Sequence, residues 1–282
     1  MEQDIIREDT AMKSILLHID SDRAMPARLQ VALDLARASN GHITCLQAIS
    51  YEVFAPGDFY GSAMAAAMPV IKEAAEKLRA EIEAALAKED VAWDWRFVYG
   101  AAEYRLLEQA ALADIVLIGP HDAGEGARGP SGMAGTLALK APVPVMVVPA
   151  DTKRFDVTGP MLVGWNGSAE ACVALRRAVP LLAMASKVYL ATVEEPRGEG
   201  RFDFPPLEGA QYLSRHGIEA EIVAIPRGDA RISDTLFSAA QMRGCVLLVM
   251  GAYGHSRFAE MLFGGVTRHS LTEPQMPMFL AH

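Results

Sequence analysis

The sequence predicts an α/β protein of two tandem doubly wound domains, each a five-stranded, mainly parallel sheet with helices on both faces. Three observations carry this. First, the chain repeats itself. Ser14-Ile15-Leu16-Leu17-His18-Ile19-Asp20 is echoed by Met161-Leu162-Val163-Gly164-Trp165-Asn166, the run 113–119 by 245–251, and the proline-punctuated run 142–149 by 274–280. Second, apolar runs alternate with helical patterns in both copies, and the runs are nearly continuous. A strand buried on both faces requires such a run, and alternating strands and helices build a parallel sheet. Third, 282 residues suit two domains of roughly 100–200 residues each.

The repeat divides the chain into an N-terminal tail (1–11), a first domain (12–150), a polar linker (151–157) and a second domain (158–282). In the first half, strands are expected near 14–19, 42–48, 92–98, 114–118 and 144–148, with helices near 24–39, 63–88, 102–112 and 132–140. In the second half, strands fall near 161–165, 187–193, 219–225, 245–250 and 277–281, with helices near 168–184, 206–216, 230–242 and 264–273. The 63–88 helix is long and rich in Ala, Glu, Lys and Leu. Its counterpart is a loop, 194–206, followed by a short helix. The loop 51–61 carries Tyr51, Phe54, Phe59 and Tyr60, read as aromatics capping the core or an interface. Pro144 and Pro277 suit the start of an edge strand, where a missing donor is tolerated.

Composition excludes several classes. Apolar residues make up 51% and charged residues 22%, an ordinary folded composition. The net charge, 26 − 35 = −9, opposes a bulk electrostatic grip on nucleic acid or anionic membrane. Cys45, Cys172 and Cys245 form no CxxC pair, so neither a disulfide framework nor a thiolate zinc site is expected. No apolar run reaches the ~18 residues of a membrane span. The first ten residues are charged and acidic, unlike a secretory leader. The expectation is a cytoplasmic protein.

In an open parallel sheet, ligands bind beyond the carboxyl ends of the strands. The second half places a glycine pattern there: Gly251-x2-Gly254-x9-Gly264-Gly265-x-Thr267. Glycine permits positive φ and close backbone approach. Free N–H groups at the following helix start favour an anion. His255, Arg257 and Arg268 add positive charge nearby, and Thr267 a hydroxyl.

On this motif and the repeat, the chain resembles the universal stress protein family in its tandem form, over nearly all of its length beyond the first ~11 residues. The resemblance implies a Rossmann-like, adenine-nucleotide-hydrolase-like fold. It implies ATP, with Mg²⁺, in the second half, lined by Met250, Gly251, Tyr253, Gly254, Gly264, Gly265, Val266 and Thr267. Asn166, ending the first strand, and Val193, ending the second, would contact the adenosine. Asn166 stands where the family usually has Asp, exchanging an acceptor for an amide that also donates. Val246 stands where Asp is common, and Gly265 where Ser or Thr is usual.

The first half reads Gly119-x2-Asp122-x9-Gly132-Met133. Asp122 in place of glycine sets a carboxylate toward the phosphates. Two unit charges 4 Å apart repel by about 1 kcal/mol in water and roughly 4 at an effective dielectric of 20. A helix N-terminus returns only about 0.3–1 kcal/mol. No nucleotide is expected there, although Asp20 is retained.

Other motifs are discounted. Gly124-x-Gly126-x2-Gly129 does not directly follow a strand, and Pro130 comes next, so it reads as a loop. There is no phosphate-binding G-x4-G-K-[ST], H-E-x-x-H or G-x-S-x-G pattern. His18, on an apolar strand, reads as a satisfied core histidine; Trp93, Trp95 and Trp165 read as packing residues. The functional expectation is a nucleotide-responsive stress protein acting on an unidentified protein partner. Its two halves pair through 144–148 and 277–281 as an internal pseudo-dimer, and a further homodimer stays open. The alternatives are a nucleotide-independent interaction protein, or a slow ATPase or adenylyl-type enzyme; no catalytic residue or metal ligand is nominated.

Overall fold

The computed structural model describes residues 12–49, 59–121, 131–194, 205–226, 228–252, 270–271 and 274–282, with backbone alone for 59–67. The first half runs β1 (Ser14–Ile19), α1 (Met25–Ser39), β2 (His42–Ile49), α2 (Phe59–Leu86), β3 (Ala92–Tyr99), α3 (Ala102–Ala110), β4 (Ile115–Ile118), α4 (Gly132–Lys140) and β5 (Val145–Val147). The second runs β6 (Met161–Gly164), α5 (Ala169–Leu182), β7 (Val188–Val193), α6 (Pro206–Arg215), β8 (Ala220–Ile225), α7 (Ile232–Met242), β9 (Leu247–Gly251) and β10 (Met278–Ala281). Helix α2 begins at Phe59, so Phe59, Tyr60 and Gly61 are helical and do not belong to the loop expected there. Tyr51 and Phe54 lie outside the described residues. Of the helix expected at 264–273, only 270–271 is described, and it is helical.

All ten strands join one sheet in the order β3-β2-β1-β4-β5-β10-β9-β6-β7-β8. Every pair is parallel except β5–β10, where Met146 faces Phe279 in an antiparallel register. The two halves therefore meet strand to strand, which closes both inner edges. Pro144 and Pro277 precede central strands and not edge strands, contrary to the sequence expectation. Each uses only its carbonyl: Val116 N–H donates to Pro144 O and Leu248 N–H to Pro277 O, at 3.0 and 3.1 Å. Proline keeps that acceptor, so the missing N–H costs no ladder bond.

Strand alternation divides the core into two layers that run across both halves. Ile15, Leu17, Val163 and Trp165 pack with α1, α2, α5 and α6 on one face. Leu16, Leu162, Met250 and Leu280 pack with α3, α4 and α7 on the other. The segment expected as a polar linker is seated in the first layer. Phe155 is 3% exposed, and its N–H donates to Asp34 Oδ2 on α1 at 2.8 Å.

Candidate functional site

In the second half, β6, β7 and β9 are adjacent and parallel, so their carboxyl ends gather at one edge of the sheet. That edge brings Asn166, Val193, Met250 and Gly251 together. Trp165 N–H continues the ladder to Ala191 O at 2.8 Å, and the chain then turns outward. Asn166 is exposed. Its Oδ1 accepts from Ser168 N–H at 3.1 Å. Gly167, at φ 76°, makes the turn that glycine permits without strain. Ser168 caps α5, its Oγ accepting from Ala171 N–H at 3.2 Å.

Val193 ends β7 half-buried among the second-layer residues. Met250 is 5% exposed in the same layer. Together they give the edge an apolar floor beside a polar amide. Gly251 is a glycine for a reason other than turn geometry, since its φ is not in the positive range. A Cβ there would stand 2.6–2.8 Å from backbone atoms of Glu170 and Ala171, so the first turn of α5 packs directly on it. Tyr253, Gly254, Gly264, Gly265, Val266 and Thr267 lie outside the described residues, as do His255, Arg257, Arg268, Asp122 and the glycines at 124–129.

Three neighbours escaped sequence reasoning. Glu170, in the first turn of α5, has a buried Oε2 with no hydrogen-bond partner, and so has Thr192 Oγ1 next to Val193. A ring nitrogen of His282, Nδ1, lies 2.8 Å from Ala252 O, anchoring the chain where it leaves β9. Orphaned buried atoms and loop anchors leave no periodic trace in a sequence.

The corresponding edge of the first half is built differently. Arg28 is wholly buried, and its guanidinium grips Asp22 through Nη2–Oδ2 at 2.7 Å and Nη1–Oδ1 at 3.2 Å. Its Nε donates to His18 O at 2.8 Å. A Cβ on Gly119 would lie 2.5 Å from Arg28 Nη1 and 3.1 Å from Asp22 Oδ1. The ion pair therefore wedges between α1 and the first motif glycine, where the second half has helix backbone against glycine. A Cβ on Gly132 would meet nothing within 4 Å, so packing does not demand that glycine. The α4 start is capped by Ser131, whose Oγ accepts from Ala134 N–H at 3.1 Å.

His18 corrects another expectation. It is 3% exposed, but its Nδ1 has no hydrogen-bond partner. Burial, then the Arg28 charge, push its pKa down to about 3, with the Asp22 charge opposing. The ring is neutral at ordinary pH. Burial likewise raises the Cys45 thiol to about 12 and Cys245 to about 11, which leaves them poor nucleophiles.

Elsewhere, a groove of about 670 Å³ is lined by Lys13, Arg37, His42, Glu89 and Asp90. It lies at the amino ends of β1–β3, the opposite edge from the gathered site residues, and its charges are mixed. Among the described residues, no three His, Cys, Asp or Glu side chains cluster to hold a metal ion. None of the described helices is long and apolar enough to cross a membrane.

Residues 12–149 match the model of the universal stress protein family. No curated protein matches the chain. Among solved structures, a universal stress protein from Archaeoglobus fulgidus DSM 4304 aligns at 15% identity over 96% of this chain and 97% of that one, with a TM-score of 0.66. A functionally unknown protein from Pseudomonas aeruginosa PAO1 aligns at 17% identity over 96% and 93%, with a TM-score of 0.58. Both likenesses establish the fold. A universal stress protein in complex with cAMP aligns with 50% of this chain and 99% of that one, at 18% identity and a TM-score of 0.32.

Proposed function

The chain belongs, through residues 12–149, to the universal stress protein family, and from that premise we propose that its second half binds ATP or a related adenine nucleotide and acts as a nucleotide-responsive regulator. One observation carries this reading. The glycine pattern beginning at Gly251 leaves β9 at the edge where Asn166, Val193 and Met250 converge. An apolar floor with one amide suits a nucleobase and ribose, which need shape and a few polar contacts. Gly254, Gly264, Gly265, Val266 and Thr267 would hold the phosphates. Glu170 would offer an oxygen donor toward Mg²⁺, the hard cation that usually accompanies them. The domains of this reading are 12–150 and 158–282, joined at 151–157, and its setting is the cytoplasm.

A switch requires that the nucleotide prefer one arrangement of the 251–267 loop. The loop leaves β9 through Ala252, which is tied to Ala281 and His282, so a change there is passed to β10 and the central pair. The test is calorimetric titration of the nucleotide-stripped protein with Mg-ATP. One site per chain, lost in a folded Gly254→Asp protein, is expected. Absence of binding would leave the interaction-protein reading, in which Gly251 serves only its packing against α5.

A further inference from the structure

We propose that β3, at the outer edge of the sheet, is a self-association surface. A second copy of this chain adds its own β3 antiparallel there, with Asp94 of each copy opposite Arg96 of the other. The inference is independent of nucleotide binding.

The backbone of this edge is open. β3 ends the strand order of the sheet. Gly100 N–H donates to Ile49 O on β2 at 2.9 Å, so across the trans peptide the Tyr99 carbonyl points away from β2. Arg105 Nε meets that carbonyl at 2.8 Å. Strand alternation turns the N–H and C=O groups of Trp93, Trp95 and Phe97 outward as well. Among the described residues, no strand pairs with them on that side. Such a row is a template for another strand, which proline or lysine on an edge usually blunts. β3 is eight residues long and carries neither.

The side chains select the occupant. Trp93 and Trp95 pack at the margin of the first layer. Phe97, on the same face by alternation, is 37% exposed and meets the Tyr99 ring edge to face at 5.3 Å. Asp94 and Arg96 stand on the other face, half exposed, with Oδ2 and Nε 3.5 Å apart. Asp94 Oδ1 is held at 2.8 Å by His42 Nε2 and Thr44 Oγ1.

A two-fold axis must set outward residues against outward residues. All but one residue of β3 can then pair in two ways, about Trp95 or about Arg96. An axis at Arg96 stacks two guanidiniums directly opposite each other, and like charges so placed are destabilising. An axis at Trp95 sets Asp94 against Arg96 twice, in the non-hydrogen-bonded positions where facing side chains come closest. It also sets Trp93 against Phe97 twice and Trp95 against itself, and these outward pairs exchange about six backbone bonds.

The opposite edge lacks this complementarity. β8 is six residues long, and its one charge, Glu221, is held by Lys187 at 2.9 Å. The β5–β10 join shows that this sheet already extends through an antiparallel pair. A β3–β3 join is isologous and closes at two copies.

The test is sedimentation velocity of the full chain over a concentration series. A monomer–dimer equilibrium is expected, weakened roughly tenfold or more by Arg96→Glu, which turns both facing pairs repulsive. Phe97→Pro, which removes an outward donor and leaves the β2 ladder intact, should weaken it too. Asp94→Arg alone should also be monomeric, yet an equimolar mixture of Arg96→Glu and Asp94→Arg proteins should dimerise, because both facing pairs are then of opposite charge. Far-UV circular dichroism checks that each variant is folded. Where Asp94→Arg fails to fold, Arg96→Glu and Phe97→Pro decide alone. A wild type that is monomeric throughout, or that grows beyond the dimer, overturns the proposal. So does association unchanged by Arg96→Glu or Phe97→Pro, or a mixture of folded variants that stays monomeric.

Discussion

Breaking the Asp22–Arg28 pair should be among the most damaging single changes in the first half. The side chains are 0% exposed for Arg28 and 8% for Asp22, so solvent does little to screen the loss. Asp22→Ala removes both carboxylate contacts, at 2.7 and 3.2 Å, and the Oδ1 acceptor for Ala24 N–H at 2.7 Å. It leaves a buried guanidinium with the His18 carbonyl and the Met25 sulfur as partners. Truncating one member of a buried pair costs about 3–5 kcal/mol, a Tm drop of roughly 6–20 °C for a protein of this size class. The second half supplies the control. The residues equivalent to Asp22 and Arg28 are Ser168 and Ala174, and Ala174 is 1% exposed without any charge to satisfy. The double change Asp22→Ser, Arg28→Ala should therefore cost less than the sum of its single changes, with a coupling of at least about 2 kcal/mol. Urea unfolding of the four proteins, followed by far-UV circular dichroism, measures the cycle. Additive single changes would refute the idea that the pair acts as one wedge.

Three more outcomes follow from particular contacts. Gly251→Ala should destabilise by about 1–3 kcal/mol, because its Cβ meets helix backbone at 2.6–2.8 Å, whereas Gly132→Ala meets nothing and should be neutral or stabilising by up to about 1 kcal/mol; equal thermal shifts would contradict this steric contrast. Phe155→Ala should cost about 3–5 kcal/mol, since the ring is buried in a layer spanning both halves. Protease nicking after 150 should then accelerate. His18, with a folded pKa of about 3 against 6.5, binds a proton more readily when unfolded. Its contribution to stability is fully present above pH 6.5 and is lost as pH falls toward 3, at up to about 1.4 kcal/mol per pH unit. His18→Leu should remove close to one proton from the slope of unfolding free energy against pH in that window, and an unchanged slope would show that the ring is not held neutral.

Much of the fold was legible because its signals are local. Continuous apolar runs such as Ile115–Ile118 and amphipathic stretches such as Ala169–Leu182 announce strand and helix within a few residues. The repeat places Gly251 at the end of β9 without reference to any neighbour. What packs on individual candidate residues was not legible. Gly251 was expected to serve a ligand, and the structure adds a second demand on it, the close packing of α5. His18 was expected to be satisfied, yet its Nδ1 has no partner. Nothing within a few residues of either position reports what packs on it from afar.

By itself, then, the sequence determined an alternation of strand and helix in two similar halves, a parallel sheet with covered faces and the strand end at which Gly251 stands. Periodicity and turn chemistry act over one or two turns of chain, and those features need no more. The tertiary structure decided that the last strands pair antiparallel at the centre of one ten-stranded sheet, that Phe155 is a core residue, and that Arg28 is buried against Gly119. Each of those depends on atoms brought together from distant parts of the chain, where burial and partner geometry, and not residue type, set the energy.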